Sequence, residues 1–160
     1  MAEQAAASGN FTDQPTASSQ LSLQKVYVKD CSFEAPKSPD IFKSEWSPKV
    51  TLTLNSSARK LDEQTHEVVL NVTVEAKMGE TTAFLVELQQ AGIFALNNYP
   101  ADQLKPLIGN YCPSMLYPFA RQTIADLVGR GGFPPFLLQP MNFDALFLQA
   151  EAGQAAQGQR

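Results

Sequence analysis

Before Pro100 the apolar residues recur at every second position, in four stretches; after it they recur every three or four. In residues 81–96, Phe84, Val86 and Leu88 point to one side and Leu85 and Glu87 to the other, the period of a strand with a greasy inner face. Residues 67–78 alternate Val68, Leu70, Val72 and Val74 with Val69, Asn71, Thr73 and Glu75. In residues 49 to 55, Val50, Leu52 and Leu54 alternate with Thr51 and Thr53. The frequent β-branched residues in these two stretches suit a pleated, half-buried surface. Residues 21–33 are more mixed: Val26 and Val28 fall on one side, and Tyr27, Cys31 and Phe33 on the other. Four strands are therefore predicted.

The connections differ in kind. Met78-Gly79-Glu80-Thr81 is short enough for a hairpin turn. Residues 56–65 read as a longer polar connection, and residues 129–136, rich in Gly and Pro, as a loop. Residues 35–48 carry Pro36, Pro39 and Pro48, which keep them out of a central strand, together with the large apolar Ile41, Phe42 and Trp46. Beyond Pro100, Leu116, Phe119, Ala120, Thr123, Ile124 and Leu127 share a helical face, with a kink expected at Pro118 and a stop at Gly129. A short second helix is expected from Asn142, a suitable N-cap, with Phe143, Leu146 and Phe147 on one side. Strands first and helices afterwards mean an α+β fold: a four-stranded antiparallel sheet with a long kinked helix and a short C-terminal helix on one face.

Composition adds the ends and the partners. Residues 1–19 and 150–160 are poor in large apolar groups and are expected to be disordered tails, which leaves one domain over 20–149. A net charge of −4 disfavours nucleic acid and favours basic partners. The N-terminus lacks the basic and apolar regions of a secretory signal, and no apolar run is long enough for membrane insertion, so a soluble cytoplasmic protein is expected.

Catalytic chemistry is not apparent. His66, the single histidine, lies in the polar connection and reads as an exposed loop residue. Cys31 and Cys112 read as buried free thiols, since a lone, widely spaced pair is neither a disulfide framework nor a metal clamp. No cluster has metal-ligand spacing, and Gly129-Arg130-Gly131-Gly132 lacks the ending of a phosphate loop, so neither a metal nor another cofactor is expected. Two constellations remain. Asp30 and Glu34 share a strand face about 13 Å apart; with Glu87 they form either a solvated acidic face or an acid–base site. Phe33, Phe42, Trp46, Phe133, Phe136, Phe143 and Phe147 gather around the two irregular loops, as core or as a groove for apolar side chains.

Four segments, in order, resemble one family. They are Lys29-Asp-Cys-Ser-Phe-Glu-Ala-Pro36, Glu80 to Phe94 with Leu85 and Glu87, Tyr111-Cys-Pro-Ser-Met-Leu-Tyr-Pro-Phe-Ala-Arg121, and Asn142-Phe-Asp-Ala-Leu-Phe147. Together they resemble SecB, the bacterial chaperone that holds preproteins unfolded for export. The resemblance implies an ATP-independent chaperone, with no reaction of its own, that delivers unfolded preproteins to the SecA motor. It implies a SecA-binding patch of Asp30, Glu34, Leu85 and Glu87. It also implies a client groove between residues 35–48 and the second helix, to which Phe33, Ile41, Phe42, Trp46 and Phe136 are assigned. The first helices would lie at the middle of a homotetramer, a dimer of dimers, through Tyr111, Met115, Phe119 and Leu127. Two other readings are a SecB-like chaperone dedicated to one client such as an antitoxin, and a small α+β acid–base enzyme. The complete motor patch weighs against the first, and the missing convergent polar set against the second.

Overall fold

The computed structural model describes residues 17–158. Most of the expected N-terminal tail lies outside them. Four antiparallel strands, β1 (Gln20–Glu34), β2 (Lys49–Lys60), β3 (Thr65–Met78) and β4 (Thr81–Asn97), form one sheet in the order β1-β4-β3-β2. A 3₁₀ turn (Asp40–Lys43) interrupts the β1–β2 crossover. After the sheet come α1 (Ala101–Pro106), a π-helical turn (Leu107–Tyr111), α2 (Cys112–Arg130) and α3 (Phe143–Gln157). The expected α+β architecture is the one observed.

The core lies between one face of β3 and β4 and the stripe of α2 that carries Leu116, Ala120, Ile124 and Val128, all fully buried. Gly92 allows the close approach: a Cβ there would sit 2.8 Å from Leu116 Cδ2. The helix covers the two central strands and leaves the middle of the inner side of the edge strand β1, at Val28 and Cys31, open. Val28 is therefore 47% exposed and Cys31 is also exposed, against the expectation that both thiols are buried. Cys112, inside the core, is buried, and burial pushes its thiol up to about 12.

Three bulges re-aim the strands. In β1 the register shifts between Leu23 and Lys25 and between Val28 and Asp30. An extra residue in one strand turns all later side chains to the other face. Val26, Val28, Cys31 and Phe33 thus share the inner face, while Tyr27, Asp30 and Glu34 share the outer one, correcting the strict alternation read from the sequence. The third shift, between Ala76 and Lys77, places Glu75 opposite Leu85.

The remaining differences are local. Residues 56–60 continue β2, paired as far as Lys60 with His66, so the polar connection shrinks to four residues, 61–64. His66 is a β3 residue, buried at 9% exposure, and not an exposed loop histidine. The α2 helix runs past Gly129 to Arg130 and is capped at Gly131. The α3 helix continues to Gln157, into the stretch whose composition suggested a tail. Its Ala and Gln residues are good helix formers, the Asn142 side chain accepts from the Ala145 N–H at 3.1 Å, and Lys105 pairs with Glu151 at 3.0 Å.

Candidate functional site

The two faces of the sheet carry different chemistry. On the inner face, at the end where β4 begins, six aromatic rings pack together. Phe84 is fully buried and Phe133 nearly so, with their centroids 5.2 Å apart. Around them lie Phe33 (6.1 Å from Phe84), Phe136 (6.0 Å from Phe84), Trp46 (5.4 Å from Phe133) and Phe42 (5.2 Å from Phe133). Four of the five groove residues expected from the sequence are in this cluster. Phe42 is 48% exposed, Phe33, Trp46 and Phe136 are half-buried, and Ile41 is buried behind them. Phe84 was missed as a site residue because its strand pattern marks it as core, which it also is.

The wall facing the crossover loop is the segment 131–136 rather than the second helix. The close approach requires Gly131, where a Cβ would lie 2.3 Å from the tip of Phe33. The α3 helix packs elsewhere. Phe147 fills the space that Gly109 leaves in the π turn, where a Cβ would lie 2.5 Å from the ring, and Asn110 donates to Asp144. Beneath α3, against β2 and the π turn, is a cleft of about 560 Å³ lined by Leu54, Leu70, Ile108, Pro113, Phe143 and Phe147 among others.

On the outer face the register defines rows across the four strands. One row is Glu34, Leu85, Glu75 and Thr51; the next is Ser32, Glu87, Thr73 and Thr53; a third is Asp30, Gln89, Asn71 and Asn55. Asp30, Glu34, Leu85 and Glu87 therefore share one patch on adjacent strands. The three acids are exposed and Leu85 is half-buried among them. Glu75 joins them, a residue that sequence alone does not place here. A two-residue turn with unbroken pairing would set it opposite Phe84 on the other face, and the bulge shifts it by one. Further along, Glu67 is buried on this same face, accepting from the Tyr27 hydroxyl and from Lys29 Nζ at 2.8 Å, with Arg59 Nη2 at 3.6 Å. The hydrogen bonds from Lys29 and Tyr27 hold its carboxyl below the usual carboxylate range, and burial beside Glu67 pushes Tyr27 up to about 12.

The helix has a second apolar stripe. Tyr111 and Phe119 are 50% and 46% exposed, with Met115 half-buried between them. Leu127 lies further round, packed against the core. Among the described residues no group of His, Cys, Asp and Glu is arranged to hold a metal ion, and no helix is long and apolar enough to cross a membrane. His66 has an Nδ1 without a hydrogen-bond partner among the described residues. Asp30, Glu34 and Glu87 are exposed on the outer face, and Glu67, the buried acid there, is occupied by Tyr27 and Lys29.

Comparison with known proteins gives the family. Residues 14–154 match the family model described as preprotein translocase subunit SecB. The chain is 51% identical to the protein-export protein SecB of Nitrosococcus oceani over 149 residues, 92% of this chain and 91% of that protein. It is 52% identical to the protein of the same name from Methylococcus capsulatus over 130 residues, 81% of this chain and 84% of that protein. Among solved structures, the fold is similar to the SecB-like chaperone Rv1957 of Mycobacterium tuberculosis, determined with a peptide from the HigA1 antitoxin. That match has a TM-score of 0.60 at 15% identity and covers 76% of this chain and 91% of the other. The chain belongs to the SecB family, a family of protein-export chaperones and not of enzymes.

Proposed function

We propose that this protein is an ATP-independent cytoplasmic chaperone that binds unfolded preproteins, keeps them competent for translocation and delivers them to the SecA motor. The observation that carries this reading is the two-sided sheet. The same strand segments hold Phe33 and Phe84 on the inner face and Glu34, Leu85 and Glu87 on the outer one. Client and motor can then be bound together, one sheet thickness apart. The aromatic cluster supports the client half: half-exposed rings on a buried aromatic floor accept varied apolar side chains without asking for a sequence. The outer patch supports the motor half, because exposed like-signed acids steer a basic peptide, and Leu85 adds a contact that salt does not screen.

In this reading the stripe of Tyr111, Met115 and Phe119 is an assembly surface, with Leu127 beside it, and the protein works as a homotetramer, a dimer of dimers. Exposed rings on a helix back are the kind of apolar surface that a closed symmetric oligomer buries. Dedication to a single antitoxin-like client is the weaker reading. It draws on a fold likeness at 15% identity, whereas identity to the export proteins is about 50% over most of the chain.

Glu87→Lys provides the test. It places a like charge opposite a basic tail, so SecA affinity falls and its salt dependence weakens, while affinity for an unfolded client stays near the wild-type value. Both partners are titrated against the same folded protein. Equal losses for client and motor would refute the assignment of two separate surfaces.

A further inference from the structure

The outer face of the sheet is not uniformly acidic. Its first three rows carry four carboxylates, Asp30, Glu34, Glu75 and Glu87; Lys77, 3.7 Å from Glu75, and its cross-strand partner Lys49 edge them at the hairpin end. The far row is Lys25, Ile93, Glu67 and Arg59, with Lys29 at the bulge beside it. Three cations there surround one carboxylate. Glu67 is buried and already satisfied, so it anchors Lys29 and Arg59 without cancelling both, and Lys25 enters no ion pair among the described residues. The amides of Gln89, Asn71 and Asn55 separate the two halves, with Asn71 Nδ2 donating to Asn55 Oδ1 at 2.9 Å. Ile93 lies six positions along β4 from Glu87, about 20 Å at strand rise.

We propose that this face docks a peptide of mixed charge, its cations over Glu34, Glu75 and Glu87 and an acidic side chain about six residues away over Lys25, Lys29 and Arg59. The inference rests on the reading of the acidic half as a peptide dock and adds a register to it. A purely basic tail can slide along a purely acidic patch. A tail with an acidic residue at the right distance is held in place, because sliding it toward the hairpin sets its acid against Asp30 and Glu87.

The test uses the full chain and two synthetic labelled peptides. Both carry a block of Lys and Arg and a neutral spacer of about six residues; one ends in two Asp and the other in two Asn. At low salt the Asp peptide binds about two- to fivefold more tightly, a preference that fades at high salt. Lys25→Gln and Arg59→Gln each reduce that preference and leave the Asn peptide unchanged. Lys25 pairs with no acid among the described residues, so its variant keeps the test readable if Arg59→Gln disturbs the Glu67 network. Equal binding of the two peptides to the wild type overturns the inference, as does a preference that survives in the double variant. Glu87→Lys separates the two failures. If it weakens both peptides while they bind equally, the acidic dock stands and the register device falls; if it weakens neither, both fall.

Discussion

Phe42→Ala is the sharpest test of the client groove. Phe42 is the most exposed ring of the aromatic cluster, at 48%, and its partner there is Phe133, 5.2 Å away. A phenylalanine side chain presents roughly 200 Å², so about 100 Å² of this ring is free to be covered. At about 25 cal/mol per Å² that area is worth about 2.5 kcal/mol when a client covers it. Ordering of client side chains offsets part of the gain and leaves roughly 1–2 kcal/mol, about five- to thirtyfold in Kd. The buried half of the ring and its pairing with Phe133 set the cost to the fold, roughly 1–3 kcal/mol, so affinity is measured on protein whose far-UV circular dichroism is native. Fluorescence anisotropy with a short unfolded client segment, small enough to engage one protomer, reads the loss. Phe119→Ala is the matched control: the ring is 46% exposed but lies on the back of α2. It should leave the affinity for that segment unchanged and shift light scattering toward smaller species. Wild-type affinity in folded Phe42→Ala, or an equal loss in Phe119→Ala, would refute the groove assignment.

Gly92→Ala puts a methyl 2.8 Å from Leu116 where α2 crosses the sheet, and should cost about 1–3 kcal/mol in urea unfolding. Gly109→Ala drives a methyl into Phe147 and should loosen α3, seen as faster amide exchange over Phe143–Gln157 with the sheet unchanged. Burial, followed by the nearby Lys60, holds the His66 pKa below its usual value of 6.5. The folded state then binds this proton less readily than the unfolded one. The stabilising contribution is complete above about 6.5 and is lost as pH falls through that value toward the folded pKa. The wild type should therefore lose more stability between pH 7.5 and pH 5.5 (~two units) than His66→Gln does, as read from urea midpoints; parallel slopes would contradict it.

Sequence by itself determined the strand and helix types, the hairpin at Gly79, the aromatic loops and the family resemblance, because hydrophobic period and turn chemistry are local properties. It also named Asp30, Glu34, Leu85 and Glu87, and the structure places these four on one face. The faces themselves were decided in three dimensions. A strict period of two puts Asp30 with Val26 and Val28, and sets Glu75 across from Phe84. The bulges at Val28/Asp30 and Ala76/Lys77 reverse both placements, and a bulge leaves no mark in a pattern that each strand carries alone. The buried state of His66 has the same origin, since its pairing with Lys60 and Phe94 depends on β2 continuing through polar residues that read as loop. So does the span of α3, whose Ala- and Gln-rich end is held by Lys105 from a helix that the sequence places about 46 residues earlier. Packing partners distant in sequence supply what local pattern lacks: the face a side chain turns to, and the surface it meets there.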